Sequence, residues 1–491
     1  MENNTAKHAV IIGAGFGGIG LAIRLKQAGI ENFVILERAG GVGGVWRDNT
    51  YPGAACDVPS RFYSYSFEQD WQWSSLFAPQ PEILAYVEHC AKKYDIYRHI
   101  RFNTKVGGAH FDAATGLWTT QTETGETFHS RMLVSAVGLF NRAALPAIPG
   151  LDTFEGPTFH SSKWNHGFDL AGKSVAVIGT GASAIQFVPA IAPKAGKLYV
   201  VQRSPQYVMP KLRDRLPQDR RWYHDTRLFR RYERFKVYWM LERGVPRRSS
   251  PRMTAAAEKL FLTHLEGQVP DQDLRRRLTP QYPFGCKRVL MSNDWYPALQ
   301  RPNVELVDKA VVEIMPDGFR TGDGTVRKVD AIVLNTGFAT TEYIVPMKIA
   351  GLGGADLNTT WNGRPEAYLG IAVKGFPNFF MMYGPNTNGA ASIIYLLECQ
   401  ARYIAAAARR LLRNRDVYMR LNDDVQTSYN ATLQGRLTRT VVAHASCHSY
   451  FKTDSGDIVT QWPGFMLEYR MKTAFPQMRD FTIERPASQQ T

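Results

Sequence analysis

A buried strand that runs straight into a glycine-rich turn and then a helix occurs twice in this chain, and no other feature restricts the fold as much. Ala9 to Ile12 leads into Gly13-Ala14-Gly15-Phe16-Gly17-Gly18 and an apolar-periodic helix through Leu25. Ser174 to Ile178 leads into Gly179-Thr180-Gly181-Ala182-Ser183-Ala184 and a second helix. The spacing is that of a dinucleotide cradle. The first glycine makes the tight turn, the second lets backbone N–H groups approach a pyrophosphate, and the third, or an alanine there, lets the helix pack close on the strand. One glycine-rich turn alone would mean little; two, each framed by strand and helix, point to an α/β chain with two Rossmann-like dinucleotide-binding domains.

The strand after each cradle ends in opposite charge. Phe33 to Leu36 ends in Glu37, about twenty residues past the first motif, where a carboxylate accepts hydrogen bonds from ribose hydroxyls and repels a 2′-phosphate. That site suits FAD or NAD. Leu198 to Gln202 ends in Arg203-Ser204, and an arginine there forms charge-assisted bonds to a 2′-phosphate. That site suits NADPH. The sequence therefore expects two different dinucleotides, and a flavin reduced by NADPH is the simplest pair.

Composition excludes several classes. At 491 residues the chain exceeds one ordinary core, so two or three domains are expected. A net charge of +15 attracts polyanions, but much of the excess lies between Lys211 and Arg288, where RRWYHDTRLFRRYERFK and DLRRRL read as solvated helical faces. No nucleic-acid reader module accompanies it, and no nucleic acid is expected as a partner. The five cysteines, Cys56, Cys90, Cys286, Cys399 and Cys447, are scattered and never spaced as CxxC. This argues against a disulfide framework, a metal site or a dithiol redox centre, and for a reducing, cytoplasmic setting. No apolar run approaches the roughly 20 residues of a bilayer span, so no stable membrane insertion is expected. A monomer or weak homo-oligomer is the expected state.

Between the cradles, Gly43 to Asp57 (GGVWRDNTYPGAACD) is a loop rich enough in glycine and aromatics to approach a flat ring. PEILAYVEHCAKKY reads as an amphipathic helix, and Trp118 to Phe128 as a hairpin about Thr124-Gly125. Leu133 to Val137 is a buried strand closed by Gly138, and Pro146 and Pro149 mark a boundary. Further on, Tyr282 to Arg288 is a turn, Asp330 to Phe338 a buried strand ending near Gly337, Met381 to Asn388 a strand-to-turn segment, and Ser392 to Leu412 a helix. The last residues, ASQQT, are expected to be disordered.

These residues together resemble the class B flavoprotein monooxygenases, most closely the type I Baeyer-Villiger monooxygenases, across nearly the whole chain. That family's fingerprint, FxGxxxHxxxW followed by Pro or Asp, is matched by Phe154, Gly156, His160 and Trp164, with Asn165 departing at the last place. The related N- and S-oxygenating enzymes carry another aromatic where Trp164 stands. A second signature, GGxWxxxxYPGxxxD, is matched from Gly43 through Asp57.

The resemblance implies that NADPH reduces FAD, that O2 adds at flavin C4a, and that the resulting peroxyflavin attacks a hydrophobic ketone to give an ester or lactone. It implies catalytic roles for Arg288 and for Asp57, which orients it. It implies a second 2′-phosphate cation in Lys287 beside Arg203 and Ser204, and NADPH contacts from Gly179, Thr180, Gly181, Ser183 and Gln186. The FAD set is Gly13, Gly15, Gly18, Glu37, Gly44, Trp46, Asp57, Tyr63, Val106 and Asn386. His160 is expected to organise the linker between domains rather than move protons. Many members close a Ser-Trp pair over the nicotinamide; here the sequence is His448-Ser449-Tyr450-Phe451, so the lid contact stays open. Trp462 to Phe465 (WPGF) is similar to the branch oxidising 4-hydroxyacetophenone.

The expected layout is a FAD domain in two parts, residues 1–149 and 371–491, around an NADPH domain at 150–370 with a helical insert at about 211–285. N- or S-oxygenation is the nearby alternative function. A pyridine nucleotide-disulfide reductase, lacking its CxxC here, and a non-catalytic nucleotide-binding protein are more distant ones.

Overall fold

The computed structural model describes residues 6–212, 226–389, 392–413 and 417–486. Part of the expected helical insert and the tail expected to be disordered lie outside these residues.

β1 (Lys7–Ile12) is buried along its last four residues, and α1 (Phe16–Gln27) presses Ile19, Leu21, Ile23 and Leu25 into the same core. An unbroken apolar strand next to a helix with so few polar positions can only be central, covered on both faces. β2 (Phe33–Leu36) lies parallel to β1, Ala9 opposite Phe33. The loop after it contains one helical turn, α2 (Val45–Asp48), followed by the expected amphipathic helix as α3 (Gln80–Lys93). After β3 (Ile100–Arg101), β4 (Val106–Asp112), β5 (Leu117–Thr122) and β6 (Thr127–Ser135) form an antiparallel meander turning at Gly125, whose φ is +89°. β6 then returns parallel to β1.

The fingerprint segment opens the second unit as β7 (Thr158–His160), followed by β8 (Ser174–Ile178), α4 (Ala184–Ile191) and β9 (Lys197–Val201). β10 (Val208–Met209) pairs with β11 (Leu290–Met291), and between them lie the insert helices Arg227–Glu242, Pro251–Gln268 and Gln272–Leu278. β12 (Val304–Val307) comes next, then the antiparallel β13 (Val311–Met315), β14 (Gly318–Thr321) and β15 (Val326–Lys328), then β16 (Ala331–Leu334). The five-stranded sheet runs β12-β9-β8-β16-β7, parallel throughout.

The chain rejoins the first sheet at β17 (Lys348–Ala350), which pairs with β4. This is earlier than the boundary at residue 371 expected from sequence. A three-residue strand between Pro346 and Gly351 carries no periodic signal, whereas the apolar runs that follow do. β18 (Phe379–Met381) then adds beside β6, and the helix Ile393–Arg413 lies along α1. The first unit is therefore discontinuous in sequence.

Cys286 and Cys447 form a disulfide, with Cα atoms 5.4 Å apart. The sequence expectation of unpaired cysteines is corrected for these two. They are 161 residues apart, so spacing could not announce the pairing. Cys56, Cys90 and Cys399 are free and buried.

Candidate active site

In the first cradle the glycines are required by backbone contacts. A Cβ on Gly13, at φ +105°, would stand 2.7 Å from the Ala136 carbonyl oxygen at the end of β6, and one on Gly18 would stand 1.9 Å from the oxygen of Gly13. Gly15 faces Gly44, where an added Cβ would lie 3.1 Å from the Gly15 Cα. At Gly13, Gly15 and Gly18 backbone thus meets backbone, while Gly17 faces the side chains of Met382 and Leu397. Buried Glu37 accepts from the Ala14 N–H at 2.7 Å and the Ala39 N–H at 2.9 Å, so its carboxylate is fixed beside the turn.

The Gly43–Asp57 loop brings Trp46 to Tyr63, its indole N–H donating to the phenol oxygen at 3.1 Å. Phe16 meets the Tyr63 ring edge-on at 5.7 Å. Val106 and Asn386, also of the expected FAD set, make contacts within the protein too. Val106 is buried in β4 opposite Thr122. Asn386, at φ +56°, donates its side-chain amide to the carbonyls of Ile458 and Gln461, tying the turn after β18 to the C-terminal segment.

The second cradle repeats the arrangement. A Cβ on Gly179, again at φ +105°, would stand 2.3 Å from the Asn335 carbonyl oxygen, as Gly13 does with Ala136. Gly181 faces the Asn335 amide, and Thr180 is buried beside it. Ser183 stands at the start of α4, where its backbone carbonyl accepts from the Gln186 and Phe187 N–H groups but its side chain makes no cap bond and instead meets the phenol of Tyr51. That phenol also donates to Gln186 Oε1 at 2.9 Å, and burial pushes its pKa up to about 12. The Gln186 amide donates to the Ala55 carbonyl at 2.9 Å and accepts from its N–H at 3.3 Å. Gln186 therefore fastens the second cradle's helix onto the loop of the first domain.

Past β9, Arg203 is exposed, and Lys287 donates to Ser204 Oγ at 2.6 Å. Burial first, then the neighbouring Arg203 charge, hold Lys287 below the ordinary lysine pKa. Among the described residues neither cation has a carboxylate partner, so the pair and the Ser204 hydroxyl present what a phosphate dianion needs.

Between the cradles, Arg288 of the second domain donates to Asp57 of the first at 2.5 Å. The Asp57 charge drives the guanidinium pKa well above its usual value, against desolvation, so Arg288 is a permanent cation. Tyr450 also interacts with the Arg288 guanidinium, while Arg288 Nε is buried without a hydrogen-bond partner among the described residues. Phe140 packs edge-on against Phe338, Tyr383 and Tyr450, and Tyr383 donates to Asn388 Oδ1 at 3.1 Å. The sequence reading did not assign Tyr450, Tyr383, Phe140, Tyr51 or Asn388. A signal was present for Tyr51, the tyrosine of the Gly43 to Asp57 signature, for Tyr450, in the segment where the lid contact was left open, and for Tyr383 and Asn388, within the Met381 to Asn388 turn; Phe140 had none.

The fingerprint residues hold the linker in place. Phe154 packs into the core with Ile178, Val201 and Leu334. Trp164 packs on Phe159 and on Phe187 of α4. Buried His160 ends β7; its Nδ1 meets Ser162, its ring stacks edge-on to Phe338, and burial lowers its pKa, which keeps it neutral. No helix of the described residues is long and apolar enough to cross a membrane.

Residues 6–248 match the family model described as flavin-binding monooxygenase-like. A Baeyer-Villiger monooxygenase of Pseudomonas aeruginosa is 40% identical over 474 residues, covering 95% of this chain and 90% of that protein. One of Streptomyces coelicolor is 40% identical over 485 residues, covering 98% of this chain and 93% of the relative. A solved structure of an oxidised steroid monooxygenase bound to NADP superposes with a TM-score of 0.88 at 32% identity, covering 98% of this chain and all of that one. With two cradles pinned across an arginine–aspartate pair, and relatives of this identity matched end to end, the chain belongs to the Baeyer-Villiger monooxygenases of the flavin-binding monooxygenase family.

Proposed function

We propose that this chain carries FAD in the first cradle and NADPH in the second, and uses O2 to convert a hydrophobic ketone into an ester or lactone, with the second oxygen atom leaving as water. The glycine turn at Gly13 to Gly18 would hold the FAD pyrophosphate, Glu37 its ribose, and Gly44, Trp46, Asp57 and Tyr63 would border the ring. The turn at Gly179 to Ser183 would hold the NADPH pyrophosphate, with Arg203, Ser204 and Lys287 on the 2′-phosphate. FAD supplies, when bound, hydride acceptance from NADPH and activation of O2. The chain's own part is electrostatic. Arg288 offers a fixed cation where negative charge develops on oxygen, an effect generally worth about 3–4 kcal/mol, and Asp57 and Tyr450 aim it. The aromatic wall of Phe140, Tyr383 and Tyr450 keeps water out and favours an apolar ketone.

The observation carrying this reading is the Arg288–Asp57 pair spanning the two domains at the point between the cradles. The test supplies NADPH, labelled O2, and a panel of ketones and thioethers, with products read by mass spectrometry. Esters with one labelled oxygen atom are expected, and sulfoxide without any ester would overturn the ketone assignment in favour of heteroatom oxygenation. Arg288→Ala is expected to consume NADPH still while ester formation falls about 100- to 1,000-fold; unchanged ester yield would remove Arg288 from the mechanism.

A further inference from the structure

The helix Arg227–Glu242 carries a face that the monooxygenase chemistry leaves unused. Leu228, Tyr232, Phe235 and Trp239 are 79%, 60%, 60% and 39% exposed, a degree of exposure rare for four large apolar residues on one helix. Their spacing of four, three and four places all four within about 60° of helical arc. Exposed Arg227 and Arg231 flank the stripe on one side, and exposed Lys236 and Arg243 on the other. The helix's two carboxylates are both engaged within the protein. Glu233 pairs with Arg61 at 2.7 Å, and buried Glu242 accepts from the N–H groups of Met466 and Leu467 at 2.9 and 3.0 Å.

The helix cannot roll to hide this face. Arg230 is held by Asp70, and Arg234 by the carbonyls of Arg61 and Ser64, both on the segment that follows Asp57. Tyr238 packs on Phe62 and Tyr395. Exposed Phe465 and Leu467 lie beside the helix's far end, where Glu242 binds the backbone, and extend the apolar surface.

We propose that this face docks on the surface of an anionic lipid bilayer, the aromatic stripe entering the headgroup boundary and the four cations meeting lipid phosphates. A large apolar stripe between rows of Lys and Arg is the pattern of a helix lying in that interface, and the charge is complementary to anionic lipid. A second copy of the chain fits worse, because a two-fold contact would set the same cations against one another. The docking concerns the surface only and does not depend on the ketone assignment.

The test is co-sedimentation of the holoenzyme with vesicles of phosphatidylglycerol and phosphatidylcholine, and with phosphatidylcholine alone, at low and high salt. Binding at least about tenfold stronger to the anionic vesicles is expected, weakening with salt. Phe235→Ser with Trp239→Ser, and separately Arg231→Gln with Lys236→Gln, are each expected to cut that binding about tenfold or more. Unchanged thermal unfolding midpoints confirm that the variants fold. Equal binding to both vesicle types, undiminished binding by both variants, or a dimer that the stripe variant dissociates in place of vesicle binding would each overturn the proposal. Vesicle binding is read without turnover, so its failure is distinct from failure of the monooxygenase reading.

Discussion

Lys287 sits in a position that costs it basicity. It is partly buried, stands next to Arg203, and among the described residues finds a hydroxyl and the ring of Tyr282 but no carboxylate. Two such cations are stabilised together when an anion completes the cluster, and the 2′-phosphate of the proposed NADPH would do so. Lys287→Ala is expected to raise the KM for NADPH about 10- to 100-fold, from the loss of a charge-assisted bond worth about 1.5–3 kcal/mol, while leaving the KM for NADH nearly unchanged. Steady-state kinetics with both nucleotides check this, and an equal rise for both would move the phosphate site elsewhere. Glu37 shows the opposite logic in the first cradle, where its carboxylate is held by two backbone N–H groups and its charge repels a second anion.

Among the elements, β7 explains why the fingerprint reads as it does. Phe154 is an anchor in the core, and Gly156 is glycine because a Cβ there would lie 2.4 Å from the Asp330 carbonyl oxygen and 2.7 Å from the Phe154 ring. Trp164 then ties the following turn to α4. The motif therefore fixes an edge strand of the second sheet and, through it, the path between domains. Gly156→Ala is expected to destabilise the protein by about 1–3 kcal/mol, because backbone and ring must move apart. The check is denaturant unfolding, where a wild-type midpoint would show that β7 tolerates the side chain. α4 makes the complementary tie through Gln186, so the same helix that starts at the second cradle also grips the first domain's loop.

At the scale of the whole molecule, three partly or fully buried imidazoles contribute to the acid response just below neutral pH. His99, His160 and His264 are each held below the ordinary histidine pKa by burial. The unfolded chain therefore binds more protons than the folded one between those lowered values and about 6.5. Their contribution is complete above about pH 6.5 and is lost as pH falls through the lowered folded values. The urea midpoint is expected to drop between pH 7.5 and 5.5, and His160→Gln to lessen the drop; a midpoint flat across that range would contradict it. What the sequence determined by itself was local: both cradles, the charges at Glu37 and Arg203, the hairpin at Gly125 and the long helices. Each depends on backbone sterics or periodicity within a few residues, and such forces act on neighbours in the chain. Which distant groups meet was decided by the tertiary structure, and of three such meetings only that of Asp57 with Arg288 had been implied beforehand by the family resemblance. Asp57 and Arg288 are 231 residues apart, Cys286 and Cys447 are 161 apart, and Tyr450 comes from near the C-terminus to cap the guanidinium. Such meetings follow from how two sheets pack across a shared boundary, and no spacing along the chain encodes that packing.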